Sequence, residues 1–197
     1  MLSWLILLKI NDIKMYTYIA LLRGINVSGK NKLKMSDLRN MLISLHFNAV
    51  ETYIQSGNCI FKSDETDISL IENKIAHQIY VNFGLDIPVL VISQKELENC
   101  ITQNPYLETY ANQTQKLYLT LLKTIPTKEL YESVHKLSSL TDECFISGKY
   151  IYLVCHNGYG KTKLTNSFFE KKLKVIATTR NWNSLQNLLT ITLNRTN

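Results

Sequence analysis

The segment Gly158-Tyr159-Gly160-Lys161-Thr162 carries the residue types of a phosphate-binding loop, because glycines let backbone amides surround a phosphate and a lysine neutralises it. A P-loop also needs a glycine five residues before Gly160, and Cys155 occupies that position. No apolar strand ends in an acidic residue that would hold magnesium. These tests argue against a P-loop NTPase. A glycine turn and a lysine before a predicted helix remain, where free N–H groups favour an anion, although a plain turn with Lys161 in solvent explains the same residues.

A second polar cluster, Arg180-Asn181-Trp182-Asn183, places planar hydrogen-bonding groups around an indole, and such groups are costly to bury without partners. Two interpretations stay open at this point. In the structural one, Asn181 caps the last helix, Trp182 anchors the core and Arg180 clamps separate elements together. In the functional one, Arg180 binds an anion through the two prongs of its guanidinium group.

Other arrangements that carry catalysis are missing from the sequence. Ser56 lacks the glycine two residues earlier that a nucleophile elbow needs, since Ile54 stands there. The four histidines are scattered, without metal-binding spacing or a neighbouring carboxylate. We therefore predict no catalytic residue, no metal site and no cofactor, and whether the protein is an enzyme stays open.

Positive charge is concentrated in two segments of the chain. The net charge is +6; residues 23–39 carry +4 and residues 161–180 carry +5, and the remainder sums to −3. This distribution favours an anionic partner such as phosphate, a nucleotide or nucleic acid. Lysines on solvent-facing helices would give the same count.

Nucleic-acid binding has one further indication, in aromatic residues on predicted strands. Tyr53, Phe61, Tyr150 and Tyr152 are placed where they would stack on bases. The same alternation is typical of core and cross-strand pairs, and the RNA-binding signature is absent from the strand at residues 58–62. An RNA- or DNA-binding module is therefore kept as an alternative.

The cysteines and the N-terminal segment bear on the cellular compartment. The four cysteines contain no CxxC pair and lie in or beside apolar runs, which predicts buried free thiols in a reducing cytoplasm. The apolar stretch at residues 2–8 is too short for a membrane span of roughly 20 residues and lacks the features of a signal peptide. We expect a cytoplasmic protein with no membrane partner, and residues 1–14 as an extension outside the fold.

The elements that must position these residues follow one order twice. Apolar periodicity and turn residues predict β-α-β-β-α-β in residues 15–104, with a connecting helix capped by Ser93 and Glu96, and the same order in residues 105–197, with a closing helix. This predicts an α+β fold of two ferredoxin-like βαββαβ subdomains with antiparallel sheets and a C-terminal helix. The predicted strands are 16–23, 49–54, 58–62, 86–93, 116–122, 143–146, 149–155 and 175–178. The predicted helices start near Ser36 or Asp37, at Ile68, at Thr127 and at Thr165, and the one from Thr127 ends at Leu137.

This connectivity brings distant polar residues together. In such an antiparallel sheet, the end of the first strand and the turn between the second and third lie on one edge, so residues 23–26 meet residues 55–58. In the second half, residues 158–161 approach residues 179–181. Loops that converge on a rigid sheet commonly carry binding residues.

Six blocks of the sequence, in order, carry a resemblance to a known family: ALLRGINVSG, MSDLR, TYIQSGNCIF, GYGKTKL, FFEKKL and ATTRNWN. Through these blocks the chain is similar to the DUF1697 family of small bacterial proteins from Met15 to about Leu189. The resemblance implies an α+β fold of two subdomains and no established activity or cofactor. Lys161-Thr162 stands where that family usually has Arg-Ser.

From the loops and the resemblance we expect a site for an anionic, phosphate-bearing small ligand. The alternatives are a nucleic-acid module and a nucleotide-handling transferase or hydrolase. A third interpretation is that the QSGN and TRNWN blocks only hold the subdomains together. The predicted ligand-binding residues are Arg23, Asn26, Gln55, Ser56, Gly57, Asn58, Lys161, Lys163, Thr179, Arg180 and Asn181.

Overall fold

The computed structural model describes residues 14–27, 29–135 and 141–194 of the 197-residue chain. These residues form strands β1–β8 and α-helices α1–α6, with short 3-10 helices at Ala111–Lys116 and Tyr159–Lys161. In chain order the elements are β1 (Tyr16–Leu22), α1 (Met35–Ser44), β2 (Asn48–Tyr53), β3 (Asn58–Ser63), α2 (Ile68–Phe83), β4 (Val89–Ser93), α3 (Gln94–Thr102), β5 (Leu117–Leu122), α4 (Lys128–His135), β6 (Glu143–Ser147), β7 (Tyr150–Val154), α5 (Asn166–Leu173), β8 (Ala177–Asn181) and α6 (Trp182–Leu193).

The strands form two four-stranded antiparallel sheets, in the orders β2-β3-β1-β4 and β6-β7-β5-β8. Each sheet belongs to one βαββαβ-like subdomain, and α6 closes the chain. The predicted α+β class with two similar subdomains and a C-terminal helix is confirmed. The boundaries 15–104 and 105–197 stay a prediction. The predicted extension at residues 1–14 and the predicted helix end at Leu137 fall, apart from Lys14, outside the described residues.

The two sheets match in register as well as in strand order. Tyr18 of β1 pairs with Ser93 of β4, and Tyr118 of β5 pairs with Asn181 of β8. Ser93 and Asn181 then cap the following helices by accepting hydrogen bonds from the amides of Glu96 and Ser184, as the sequence predicted. Positions in one subdomain therefore have defined equivalents in the other. The same register gives the pairs Leu22–Val89 and Leu122–Ala177.

Three apolar cores hold these layers together, because strand side chains alternate between faces. Helices α1 and α2 cover one face of the first sheet, and α4 and α5 cover the far face of the second. The middle core joins the inner faces of both sheets with α3 and α6. Trp182 lies in it with no exposed surface, which confirms its predicted place as a core anchor.

Two equivalent ion pairs cross between the subdomains. Arg23, which follows β1, pairs with Glu170 of α5 at 2.6 Å, and Lys123, which follows β5, pairs with Glu72 of α2 at 3.3 Å. Each of these acids also accepts a hydrogen bond from the neighbouring strand, Glu72 from Val91 N and Glu170 from Ala177 N. The acids therefore link a helix, a strand and the opposite subdomain at two related places.

Three predicted element bounds are wrong. Strand β4 begins at Val89 and not at residue 86. Helix α1 begins at Met35 after Lys34, which provides no side-chain cap, because Ser36 and Asp37 lie inside the first turn and Ser36 Oγ donates to Asp37 Oδ1 instead. Strand β8 continues to Asn181, since β5 remains paired with it along its length. Strand β4, which follows Pro88, lies at an edge of its sheet.

The structure also bears on the expected burial of the cysteines and on membrane-spanning helices. Cys59, Cys100 and Cys155 are buried, Cys144 is partly buried, and all four are free. Burial raises the pKa of Cys59 to about 12, so this thiol stays protonated at neutral pH. Among the described helices, none has the length and apolar character needed to cross a membrane.

Leu188→Ala tests whether the middle core unites both subdomains. Leu188 is fully buried in that core, so we expect the free energy of unfolding to fall by about 2–5 kcal/mol. Urea denaturation followed by tryptophan fluorescence and by far-UV circular dichroism should still give one coincident transition. Leu70→Ala is the control, because Leu70 is largely exposed. Two separate transitions would show that the halves unfold independently.

Candidate functional site

A cleft of about 570 Å³ opens where the end of β1 meets β8 and the start of α5. The first subdomain contributes Arg23 and Ser56 to its wall, and the second contributes Thr179, Arg180 and Asn181. Both rims that connectivity predicted in the sequence therefore face one cavity between the subdomains. We call this cavity the main cleft.

Arg180 is the central contact between the two subdomains. Arg180 is 8% exposed. Its guanidinium group donates five hydrogen bonds, so all five of its N–H donors are engaged. Within β8, Nη1 donates to Thr178 Oγ1 and Thr179 O at 2.9 and 3.0 Å. The bonds to the first subdomain are Nε to Asn58 Oδ1 at 2.5 Å, Nη2 to Leu22 O at 2.8 Å and Nη2 to Ser56 O at 3.2 Å.

The turn between β2 and β3 is shaped to accept this arginine. The Asn58 amide donates to Tyr53 O and Ser56 Oγ, which directs its carbonyl oxygen at Arg180. Gly57 has a φ of 71°, and a Cβ there would lie 2.5 Å from Ile25 Cδ1. Glycine is therefore required both by conformation and by space.

The charge of Arg180 is not balanced by a carboxylate. Ion pairs in the described ranges involve other cations, and the groups around Arg180 are neutral amides, hydroxyls and carbonyls. Burial lowers the pKa of Arg180 to about 10, which still leaves it charged at neutral pH. The main cleft is thus lined by a buried positive charge.

Arg23 and Asn26 shape the other rim. Arg23 Nε donates to Ala177 O at 3.0 Å and Nη2 binds Glu170, while Nη1 has no partner within the described ranges. Asn26 exchanges hydrogen bonds with the backbone of Leu33 and donates to Gln55 O at 2.9 Å. Asn26 therefore fastens a loop to the turn, whereas Arg23 keeps donors for another group.

The start of α5 forms the opposite wall. Thr165 caps the helix by accepting from Phe168 N at 3.2 Å, and Thr165, Asn166 and Ser167 all line the main cleft. Thr179 Oγ1 donates to Asn166 Oδ1 at 2.6 Å and accepts from Tyr159 OH at 3.1 Å. Burial raises the pKa of Tyr159 despite hydrogen bonds to Thr179 and the Asn166 backbone. These bonds fix the helix end against β8.

The N-terminus of α2 is the equivalent position in the first subdomain, and its capping differs from that of α5. There Asp67 caps α2, and its carboxylate accepts from Ser69 N at 2.8 Å and Leu70 N at 3.3 Å. In α5 the neutral Thr165 binds only Phe168 N, the equivalent of Leu70 N. The amide of Ser167, the equivalent of Ser69, has no partner within the described part of the chain. A helix N-terminus that is filled by a carboxylate in one subdomain is open in the other.

The walls of the main cleft and of its equivalent cavity also differ in polarity. The equivalent cavity beside Lys123 and Glu72 is only about 90 Å³. Its wall contains Leu90, Val91 and Ile92, where the main cleft has Thr178, Thr179 and Arg180. Apolar side chains line the small cavity, and polar side chains line the large one.

The structure distributes the predicted site residues in three ways. Arg23, Ser56, Thr179, Arg180 and Asn181 line the main cleft. Behind its wall lie Asn26, Gly57 and Asn58, which support it. The side chains of Gln55, Lys161 and Lys163 are exposed and do not line it.

Five further residues line the main cleft and were not predicted as site residues: Tyr118, Thr165, Asn166, Ser167 and Ser184. All five are neutral and belong to no recognised motif, so neither charge nor motif spacing points to them. Comparison of the two predicted halves offered a signal, because Thr165 starts the helix equivalent to the one that Asp67 starts.

The geometry of the structure matches neither a P-loop nor base stacking on the strand aromatics. Thr162, which would hold magnesium in a P-loop, donates its hydroxyl to Asp142 Oδ2 at 2.6 Å in a buried contact. Phe61 and Tyr152 are buried in the cores, so they present no face for base stacking. Tyr53 and Tyr150 also pack partly against the middle core.

Comparisons with known proteins agree with this fold. The family model described as protein of unknown function (DUF1697) matches residues 15–152. The solved structure of a conserved bacterial protein from Streptococcus pneumoniae is similar with a TM-score of 0.68 and 23% sequence identity, over 90% of this chain and 98% of that one. No curated protein matches the chain.

Arg180→Ala tests the contacts between the subdomains. The change removes the donors for Asn58 Oδ1, Leu22 O and Ser56 O, so we expect the free energy of unfolding to fall by about 3 kcal/mol or more. Chemical denaturation measures this loss. Lys163→Ala removes an exposed positive charge and should change stability by less than about 0.5 kcal/mol. Equal stability of Arg180→Ala and wild type would contradict a clamping role.

Proposed function

Since the chain belongs to the DUF1697 family, whose description assigns no activity, we propose its function from geometry: the main cleft binds a small anionic ligand through a phosphate group. The observation that carries this proposal is the open N-terminus of α5. Its equivalent in α2 is occupied by the carboxylate of Asp67. In α5, Ser167 lines the main cleft and its amide has no partner in the described ranges. Helix N-termini favour anions through free N–H groups and the helix dipole.

Arg180 supports the proposal through its charge. Because its five donor positions already bind the protein, it does not grip the ligand with its fork, as the functional interpretation of the sequence expected. A buried charge without a counterion is costly, and an anion in the main cleft offsets that cost. Electrostatic attraction is stronger in such a partly enclosed cavity than in water.

Direct contacts then come from groups that the protein leaves unused. Arg23 and Ser167 both line this cavity, and within the described ranges Arg23 Nη1 and the amide and hydroxyl of Ser167 have no partners. The bond to Glu170 holds the Arg23 side chain in place. Ser56, Thr179 and Asn181 complete the wall, and Asn26, Gly57 and Asn58 hold it in position. In this proposal Gln55, Lys161 and Lys163 make no contact with the ligand.

The alternatives have less support. A nucleic-acid module would need exposed aromatic rings, and two of the four candidates are buried. A transferase or hydrolase acting on a nucleotide would use the same anion site, so binding is the common first step to test. The free, mostly buried thiols suit a reducing compartment, and we propose that binding takes place in the cytoplasm.

Thr165→Asp tests the proposed function. The new carboxylate would occupy the end of α5 as Asp67 occupies α2, and aspartate is at least as good an N-cap as threonine. We expect unchanged or higher thermal stability, and binding of inorganic phosphate weakened by at least about 10-fold through charge repulsion. Isothermal titration with phosphate at constant ionic strength measures the affinity.

Asp67→Thr is the matched control, since it makes the reverse exchange at the helix that faces the closed cavity. It should lower stability slightly and leave phosphate affinity unchanged. The proposal fails if wild type shows no phosphate binding, or if Thr165→Asp binds phosphate as wild type does.

A further inference from the structure

A second cavity of about 260 Å³ adjoins the main cleft and shares three wall residues with it, Tyr118, Asn181 and Ser184. Its other lining residues are Tyr53, Thr114, Gln115, Asn183 and Asn187. All of these described lining residues are neutral, and they carry amide or hydroxyl groups. We call this space the amide cavity.

We propose that the ligand of the main cleft is a phosphate ester of a hydroxylated group, such as a sugar phosphate, and that the sugar lies against the junction with the amide cavity. This inference rests on the proposed function, because the phosphate is placed at α5. It adds the chemical class of the remainder of the ligand.

The junction provides unused hydrogen-bonding groups. Ser184 is 5% exposed, its amide donates to Asn181 Oδ1 at 2.7 Å, and its hydroxyl makes no hydrogen bond within the described ranges. Ser184 lines both cavities. Tyr118 OH and Asn181 Nδ2 also have no partner in the described part of the chain. A ligand that reaches these groups supplies the hydrogen-bond partners that the described protein groups do not.

The chemistry of the amide cavity selects an uncharged, hydroxylated group. Amides and hydroxyls each donate and accept, as sugar hydroxyls do. Some are already ordered: Asn187 Nδ2 donates to Tyr53 OH at 2.7 Å, and Thr114 Oγ1 donates to Asn183 Oδ1 at 3.3 Å. These bonds orient Asn187 Oδ1 and Asn183 Nδ2 for other partners. The ring of Tyr118, packed on Tyr159 at 5.1 Å between centroids, gives the sugar an apolar surface.

Titration of the full chain with inorganic phosphate, ribose, ribose 5-phosphate and AMP tests the inference. We expect ribose 5-phosphate to bind at least about 10-fold more tightly than inorganic phosphate, because it gains hydrogen bonds at the junction. Ribose alone should bind weakly. AMP distinguishes two sources of the same ribose phosphate: equal affinity assigns a sugar phosphate, and tighter binding assigns a nucleotide.

Tyr118→Phe and Ser184→Ala each remove one junction hydroxyl without leaving a protein group unpaired. Each should weaken ribose 5-phosphate by about 5- to 10-fold and leave inorganic phosphate within about 2-fold. Tyr18→Phe is the matched control, because Tyr18 is the equivalent of Tyr118 and donates to Glu65 O away from the main cleft. It should change neither affinity.

Ribose 5-phosphate that binds no more tightly than inorganic phosphate would overturn this inference and leave the proposed function intact. The same follows if both junction variants keep the full advantage of the sugar. If no phosphate compound binds wild type, the proposed function fails as well. The two levels of the proposal are therefore separated by the inorganic phosphate measurement.

Discussion

The buried guanidinium of Arg180 is the interaction on which the relation between the two subdomains depends. It joins β8 to the end of β1 and to the turn before β3, and the turn is built to receive it. Asn58 is oriented by its own amide, and Gly57 removes the side chain that would block the approach. Arg180, which the sequence analysis predicted as a ligand-binding loop residue, thus has a structural role between the subdomains. Its charge nevertheless remains without a carboxylate partner in the described ranges, beside an open cavity.

The similarity of the two subdomains supplies an internal comparison that a single site would lack. Equivalent cross-subdomain ion pairs, helix starts and strand positions surround both cavities. The small cavity beside Lys123 is lined by leucine, valine and isoleucine, and an aspartate caps the helix at its edge. In the main cleft, two threonines and an arginine replace these apolar residues, and the helix end is open. Departures from locally stabilising choices are expected at functional sites, and here the departures converge on one cavity.

Much of the fold was predictable because apolar periodicity and turn residues recur in the same order twice. The meeting of residues 23–26 with residues 55–58 also follows from connectivity, as the bond from Asn26 to Gln55 O shows. The direction of each side chain was not predictable in this way. β8 continues three residues beyond its predicted end, and Arg180 therefore lies within a strand instead of a loop. The start of α1 was misplaced because a serine and an aspartate inside the first turn imitate a cap.

The local charge of the main cleft bears on the size of the proposed anion. The sequence carries a strong excess of lysines at residues 161–174, but the described wall of the cleft has only two charged side chains, Arg23 and Arg180. Glu170 neutralises Arg23, so one unbalanced positive charge remains. Nucleic acid is bound through many cationic contacts along its backbone. One buried charge and one open helix end instead match a single phosphate group, and the neutral amide cavity beside them matches the uncharged remainder of a small ester.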